Sequence, residues 1–234
     1  MATLDRYRTI DDLPREIPLF PLRGAILLPR VTLPLNVFEP RYLQMIDDVL
    51  AGSRMLGIVQ PEQDGETLGG ALGGSRDSPG GKSVSLHRVA CAGRVTAFQE
   101  LDDGRLLVTL TGISRFAIAG EVETDKPYRI GRCDYRPFAH DLVSGLGESD
   151  VDREALLVAL KAYLTANNLS TDWGAIAKSS TEFLVNALSV MSPYGAAEKQ
   201  ALLEAASLKE RADVLVALAE MDLATNGTPG AMMQ

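Results

Sequence analysis

The stretch that decides the fold runs from Ile17 to Leu50, IPLFPLRGAILLPRVTLPLNVFEPRYLQMIDDVL. Its apolar residues come first in short runs, IPLFPL (17–22), AILLP (25–29) and TLPLNVF (32–38), each interrupted by proline. Proline cannot donate to a strand ladder and is confined to edges, strand starts and bulges. The runs therefore predict short, irregular strands. At FEPRYLQMIDDVLAG the period changes: Tyr42, Met45, Ile46, Val49 and Leu50 recur at helical spacing. Pro40 suits a first helical turn and Gly52 an exit. One helix is expected among strands.

Beyond the helix, RMLGIVQP (54–61) reads as another strand. A glycine-rich segment follows over 62–83, with seven glycines between 65 and 81 and little that is apolar to anchor it. Loops longer than about 12–15 residues in compact domains are usually functional or disordered. The segment is expected to be a mobile insertion between two strands, with 65–81 dispensable. Its end, Gly81-Lys82-Ser83, matches the close of a phosphate-cradling loop, but Arg76 stands where the first glycine belongs. No strand precedes it and no helix pattern follows it, so no ATP binding and no cofactor are expected. GRVTAFQEL, the turn Asp102-Asp103-Gly104 and RLLVTLTG then form a hairpin by alternation and turn chemistry. ISRFAIAG and PYRIGRCDY add two strands. At least seven short strands and one helix predict a closed or partly closed barrel over residues 1–138.

The chain then changes grammar. Seven of the twelve prolines lie in the first 61 residues, whereas only Pro193 falls between 150 and 225, where alanine and leucine dominate. Residues 139–149, AHDLVSGLGES, read as a linker, 150–225 as a helical domain and 226–234 as a frayed tail. Asp150 or Asp152 can cap a helix reaching about Asn167, with Leu156, Leu157, Leu160, Tyr163 and Leu164 as its buried stripe. Asp172-Trp173 opens a short helix. Ser179 with Glu182, and Ser207 with Glu210, have capping-box spacing ahead of two more, and AAEKQALLEA lies between them.

Charge follows the same division. The net of −8 is carried mostly by residues 138–234, with 6 Lys/Arg against 13 Asp/Glu; residues 1–137 hold 17 against 18 and are arginine-rich. General affinity for nucleic acid is disfavoured by this total. No run of eighteen apolar residues suggests a membrane span, and MATLDRYRTIDDLPREIP does not read as a secretory signal. Cys91 and Cys133, without a CxxC pair, fit a reducing cytoplasm. With His87 and His140 they could form only a mixed metal site of unfamiliar spacing. Gly112-Ile113-Ser114-Arg115-Phe116 imitates a nucleophile elbow, but it lies between strands and ends in Phe. Nucleophile, base and orienting group are nowhere combined, so a non-enzymatic role is expected.

The 17–50 stretch, followed by GIVQP, VACAGRVTAF and DGRLLVTLTGISRF, resembles the N-terminal domain of the Lon proteases in a stand-alone bacterial form. Pro18, Leu19, Phe20, Pro21, Leu22, Pro29, Pro34, Leu35, Phe38, Glu39, Arg41, Tyr42 and Met45 carry the match, continued by Gly57, Gly93, Gly112, Arg115 and Phe116. The resemblance covers about 16–225 and implies an α+β protein, a PUA-like pseudo-barrel with one helix followed by a C-terminal helical bundle. It implies recognition of unfolded or apolar-rich polypeptide, with a partner such as a protease or a chaperone. The ATPase and peptidase modules would lie beyond this stretch. The candidate polypeptide contacts are Phe38, Arg41, Tyr42, Met45, Arg115 and Phe116. Four of them have a packing alternative: Phe38, with Phe20, Leu22 and Leu35, as barrel core, Arg41 in a pair with Glu39, and Tyr42 and Met45 as the inner face of the helix. The rival function, borrowed from PUA-type barrels and the arginine-rich front half, is RNA binding.

Overall fold

The computed structural model describes residues 6–62, 84–166 and 171–226. Most of the glycine-rich segment, Lys82 included, and residues 227–234 lie outside them, so the expectations for the insertion, the nucleotide and the tail are not addressed. The described residues form six strands and six α-helices: β1 (Glu16–Pro21), β2 (Thr32–Val37), α1 (Pro40–Ala51), β3 (Met55–Val59), β4 (Val89–Glu100), β5 (Leu106–Val122), β6 (Arg129–Asp134), α2 (Arg153–Ala166), α3 (Trp173–Lys178), α4 (Thr181–Met191), α5 (Ala196–Glu204) and α6 (Leu208–Asn226).

The sheet order is β2-β5-β4-β3-β1-β6, and β6 also pairs with β5. Strands β5, β4, β3, β1 and β6 thus close a ring, and β2 is an extension held by β5. Only β1 and β3 run parallel. Closure works because β5 is long enough to serve two neighbours. Residues Leu106–Thr111 pair with β2, and Ala117–Val122 pair with β6. The architecture is the expected α+β pseudo-barrel with a helical end.

Two expectations fail in the barrel, and they share one cause. AILLP (25–29) is not a strand. It is an irregular crossing bounded by positive φ at Gly24 (72°) and Arg30 (66°), with Ile26, Leu27 and Leu28 buried. RLLVTLTG and ISRFAIAG are one strand rather than two, because Gly112 does not break β5. It lies beneath the crossing instead: Arg30 N donates to Gly112 O (2.8 Å), Gly112 N donates to Val31 O (2.9 Å), and a Cβ there would sit 2.0 Å from Leu28 O. The glycine provides space, not a turn. The hairpin turn at Asp102-Asp103-Gly104 is as expected, with Gly104 at φ 80°.

In the helical half, Asp152 caps α2 by accepting from Ala155 N (2.9 Å), and Asp172 caps α3. The cap of α4 is Ser180, whose Oγ accepts from Phe183 N (3.2 Å), and not Ser179. Glu182 is unavailable for a capping box because it pairs with Arg30 and accepts from Gly145 N. Helix α6 packs against α2, α4 and α5.

One apolar cluster runs from the barrel through the inner face of α1 into the helical half, joining Phe20, Met45, Leu56 and Leu110 to Leu156, Val185, Leu202 and Leu215. A second gathers Ile17, Leu19, Met55, Phe116 and Tyr135. Polar ties cross between the halves as well. Gln60 Nε2 donates to Ala196 O (3.0 Å) and to Gln200 Oε1 (3.1 Å), and Asn186 Nδ2 donates to Pro29 O (3.2 Å).

Candidate functional site

The turn from β2 into α1 builds a groove. Pro40 at the helix start restricts the preceding residue to extended backbone, and Glu39 adopts φ −72°, ψ 131°. This sharp entry leaves Phe38 outside the core, 53% exposed. On the opposite wall, β1 delivers Phe20 and Pro21, followed by Leu22 and Arg23. Leu22 N donates to Val59 O (2.9 Å), which keeps this strand exit on β3. With Asn36, Val37, Phe38, Glu39 and Tyr42 these residues line a cavity of about 320 Å³.

The floor is aromatic. The Phe20 and Tyr42 rings are 4.3 Å apart and tilted, and the Arg41 guanidinium lies 4.5 Å over the Tyr42 ring. Arg41 is held there by Glu39, whose Oε2 accepts from Nη2 (2.8 Å) and Nε (3.1 Å). Burial pushes the Tyr42 hydroxyl pKa up from its ordinary value.

Across β2 lies a second, shallower depression of about 480 Å³ lined by Pro34, Leu35 and Asn36, by Ala97, Phe98 and Gln99 of β4, and by Leu107, Val108 and Thr109 of β5. Asn36 borders both cavities. Phe98 (53%) and Leu107 (42%) are exposed here. By the register Phe98 stands opposite Val108 and Leu107 opposite Gln99, so these two exposed side chains project from opposite faces of the sheet.

The six candidate contacts separate. Phe38 and Tyr42 line the groove; Arg41 does not, but it pairs with Glu39 and stacks on Tyr42, which do. Met45 (0%), Phe116 (0%) and Arg115 (1%) are buried, which corrects their assignment as contacts. Met45 lies on the inner face of α1. Phe116 packs on Tyr135 with ring centroids 5.7 Å apart. Phe38 corrects the opposite reading, that it is core. Phe98 and Leu107 were missed because an alternating hairpin reveals which residues share a face, not which face is covered.

Arg115 has an internal role. Its Nε and Nη2 donate to the two oxygens of Asp141 (2.9 and 2.8 Å), and Nη1 donates to Leu203 O (3.0 Å) and Ala205 O (2.6 Å). Its guanidinium also lies 4.6 Å from the Phe138 ring centroid. Burial works to raise the Asp141 carboxyl pKa, but the hydrogen bonds and charge of Arg115 outweigh it and hold it below the usual value. Asp141 comes from the segment read as a linker.

The elbow-like Ser114 is buried within β5, and its Oγ donates to Arg115 O (3.0 Å). Burial raises the Cys91 thiol pKa far above its ordinary value and pushes Cys133 up to about 12, so neither is poised as a thiolate. Among the described residues no group of three or more His, Cys, Asp or Glu could hold a metal ion, and no helix is long and apolar enough to cross a membrane.

Comparisons with known proteins agree with this architecture. The family described as the ATP-dependent protease La (LON) substrate-binding domain matches residues 16–220. A Lon protease of Flavobacterium johnsoniae is 27% identical over 215 residues, covering 86% of this chain and 23% of that protein. A Lon protease of Syntrophus aciditrophicus is 23% identical over 93% of this chain and 25% of its own length. The chain thus spans about a quarter of these relatives. Among solved structures, the N-terminal domain of Mycobacterium avium complex Lon protease aligns with a TM-score of 0.63 at 17% identity, covering 88% of this chain and 98% of that one. A Lon N-terminal domain protein from Xanthomonas campestris aligns at 0.58 and 20% identity, covering 86% and 97%.

Proposed function

The chain belongs to the LON substrate-binding domain family, and from that premise we propose that it binds unfolded, apolar-rich polypeptide at the Phe38 groove without cleaving it. The observation that carries the reading is the half-exposed Phe38 above the Phe20–Tyr42 floor, beside the edge strand β2, whose Asn36 also borders the second depression. The occupant is an extended segment whose apolar side chains enter both depressions. The proposal includes a non-catalytic role, delivery of the bound segment to a protease or chaperone, and a cytoplasmic location.

The pairing of surface and buried arginines disfavours RNA. Arg30, Arg41, Arg105, Arg115, Arg129, Arg132 and Arg136 each face a carboxylate. Arginines neutralised in this way contribute little to a phosphate-binding field.

Calorimetric titration with reduced, carboxymethylated α-lactalbumin tests the proposal. Association costs and peptide ordering limit a single groove to roughly micromolar affinity, with a negative heat-capacity change and little salt dependence. Phe38→Ala should weaken binding roughly 5- to 30-fold, the equivalent of about 1–2 kcal/mol of lost apolar burial, and leave the melting temperature nearly unchanged because the side chain is already half in water. Equal binding by the variant would remove the groove from the site. Tight binding of a structured RNA that weakens steeply with salt would overturn the reading.

A further inference from the structure

A different cavity, of about 30 Å³, lies where the barrel meets the helical half. Arg30, Arg115, Asp141, Glu182, Asn186 and Arg211 contribute to its wall. The room suits one water or one monoatomic ion. Three guanidiniums face two carboxylates, so the wall carries one positive charge in excess.

Arg211, on α6, is the unusual member. It is 3% exposed. Its Nε donates to Leu202 O (2.8 Å) and its Nη1 to Asn186 Oδ1 (2.8 Å). Its Nη2 is the one buried side-chain nitrogen or oxygen among the described residues with no hydrogen-bond partner. The neighbouring carboxylates are already committed, Asp141 to Arg115 and Glu182 to Arg30. A buried cation with an unused donor is costly unless a partner is supplied. Burial, and then the neighbouring Arg115 charge, pulls the Arg211 pKa down to about 9, the direction taken by a cation lacking a counter-ion.

We propose that this cavity is a binding site for a single small anion, chloride in a cellular setting, held by Arg211 Nη2 and the excess positive charge of the wall. The anion completes the donor set of Arg211 and brings the wall to neutrality. It also ties α6 and α4 to the crossing at Arg30 and to Asp141, so its loss loosens the junction between barrel and helices. The proposal is independent of what the Phe38 groove binds.

Two experiments on the whole protein test it. In crystals grown with sodium bromide, an anomalous peak is expected in the cavity at hydrogen-bond distance from Arg211 Nη2. In solution, replacing gluconate, which is too large to enter, by chloride at constant ionic strength should raise the melting temperature saturably, by about 3–6 °C for a site of roughly 10 mM affinity at 0.2 M chloride. Arg211→Met keeps a flexible unbranched stem and removes charge and donors, so its melting temperature should not respond to chloride. If that variant does not fold, the bromide peak in the wild-type protein decides. An ordered water in the cavity without bromide, or a wild-type melting temperature indifferent to the exchange, overturns the proposal. So does an equal chloride response in folded Arg211→Met.

Discussion

Arg115→Met is expected to destabilise the protein by about 3–5 kcal/mol, the range for removing one partner of a buried ion pair. The pair is 1% and 6% exposed. The substitution leaves Asp141 charged and buried, and it strips the Leu203 and Ala205 carbonyls of the donors that Nη1 supplies. Arg115→Lys should recover only part of the loss, since one ammonium cannot reproduce a fork reaching two carboxylate oxygens and two carbonyls. The effect has a pH signature. The folded pKa of Asp141 is depressed, so its contribution is present above the unfolded value near 4 and is lost as pH falls through the folded one. The gap between wild type and Arg115→Met should therefore narrow as pH drops below about 4. Urea denaturation at pH 7 and at pH 3.5 measures both. A loss under about 1 kcal/mol at pH 7 would show that the pair does not hold the halves together.

Gly112→Ala should cost about 3 kcal/mol or more, although the change adds one methyl group within a strand. The new Cβ would lie 2.0 Å from the Leu28 carbonyl oxygen and 2.7 Å from its carbon. Those are backbone atoms of the crossing, and they cannot rotate aside as a flexible side chain can. Relief requires lifting residues 28–31 from β5, which breaks the Arg30–Gly112 and Gly112–Val31 backbone hydrogen bonds. Gly104→Ala is the matched control in the same hairpin. It has φ 80° but nothing within 4 Å of a new Cβ, so only conformational strain of about 1–2 kcal/mol is expected. Similar losses for the two alanine variants, by thermal melting or denaturant, would refute the distinction between a glycine needed for space and one needed for a turn.

Much of the architecture was legible before any coordinates. The switch from proline-broken runs to helical spacing at Pro40 places α1 to within a residue, because φ restriction and apolar period are local properties. The Asp102-Asp103-Gly104 turn is legible for the same reason, as are the caps at Asp152 and Asp172. The AILLP run illustrates the limit. A buried apolar run with no periodicity fits a strand and an irregular crossing equally well, and the choice depends on whether β5 leaves room beneath it. Ser179 and Glu182 had the spacing of a capping box, yet Glu182 is taken by an arginine 152 residues away in the chain.

The candidate site divides along the same line. Sequence alone settled the presence of a PUA-like barrel with a helical end and the apolar and aromatic content of the turn into α1, since both depend on local pattern or on a motif read as a whole; it left the Glu39–Arg41 pair as one of two readings of Arg41. Tertiary structure alone decided which members of that motif face water. Phe38 and Phe116 are the same residue type in equally apolar company, but the Glu39–Pro40 entry turns one outward while ring closure by β5 and β6 seals the other in. Arg41 and Arg115 are alike as letters. One finds its carboxylate two positions away at the surface; the other finds Asp141 in the segment after β6 and reaches the Leu203 and Ala205 carbonyls of the helical half, and its burial there, which no local pattern encodes, makes it the pin between the two halves.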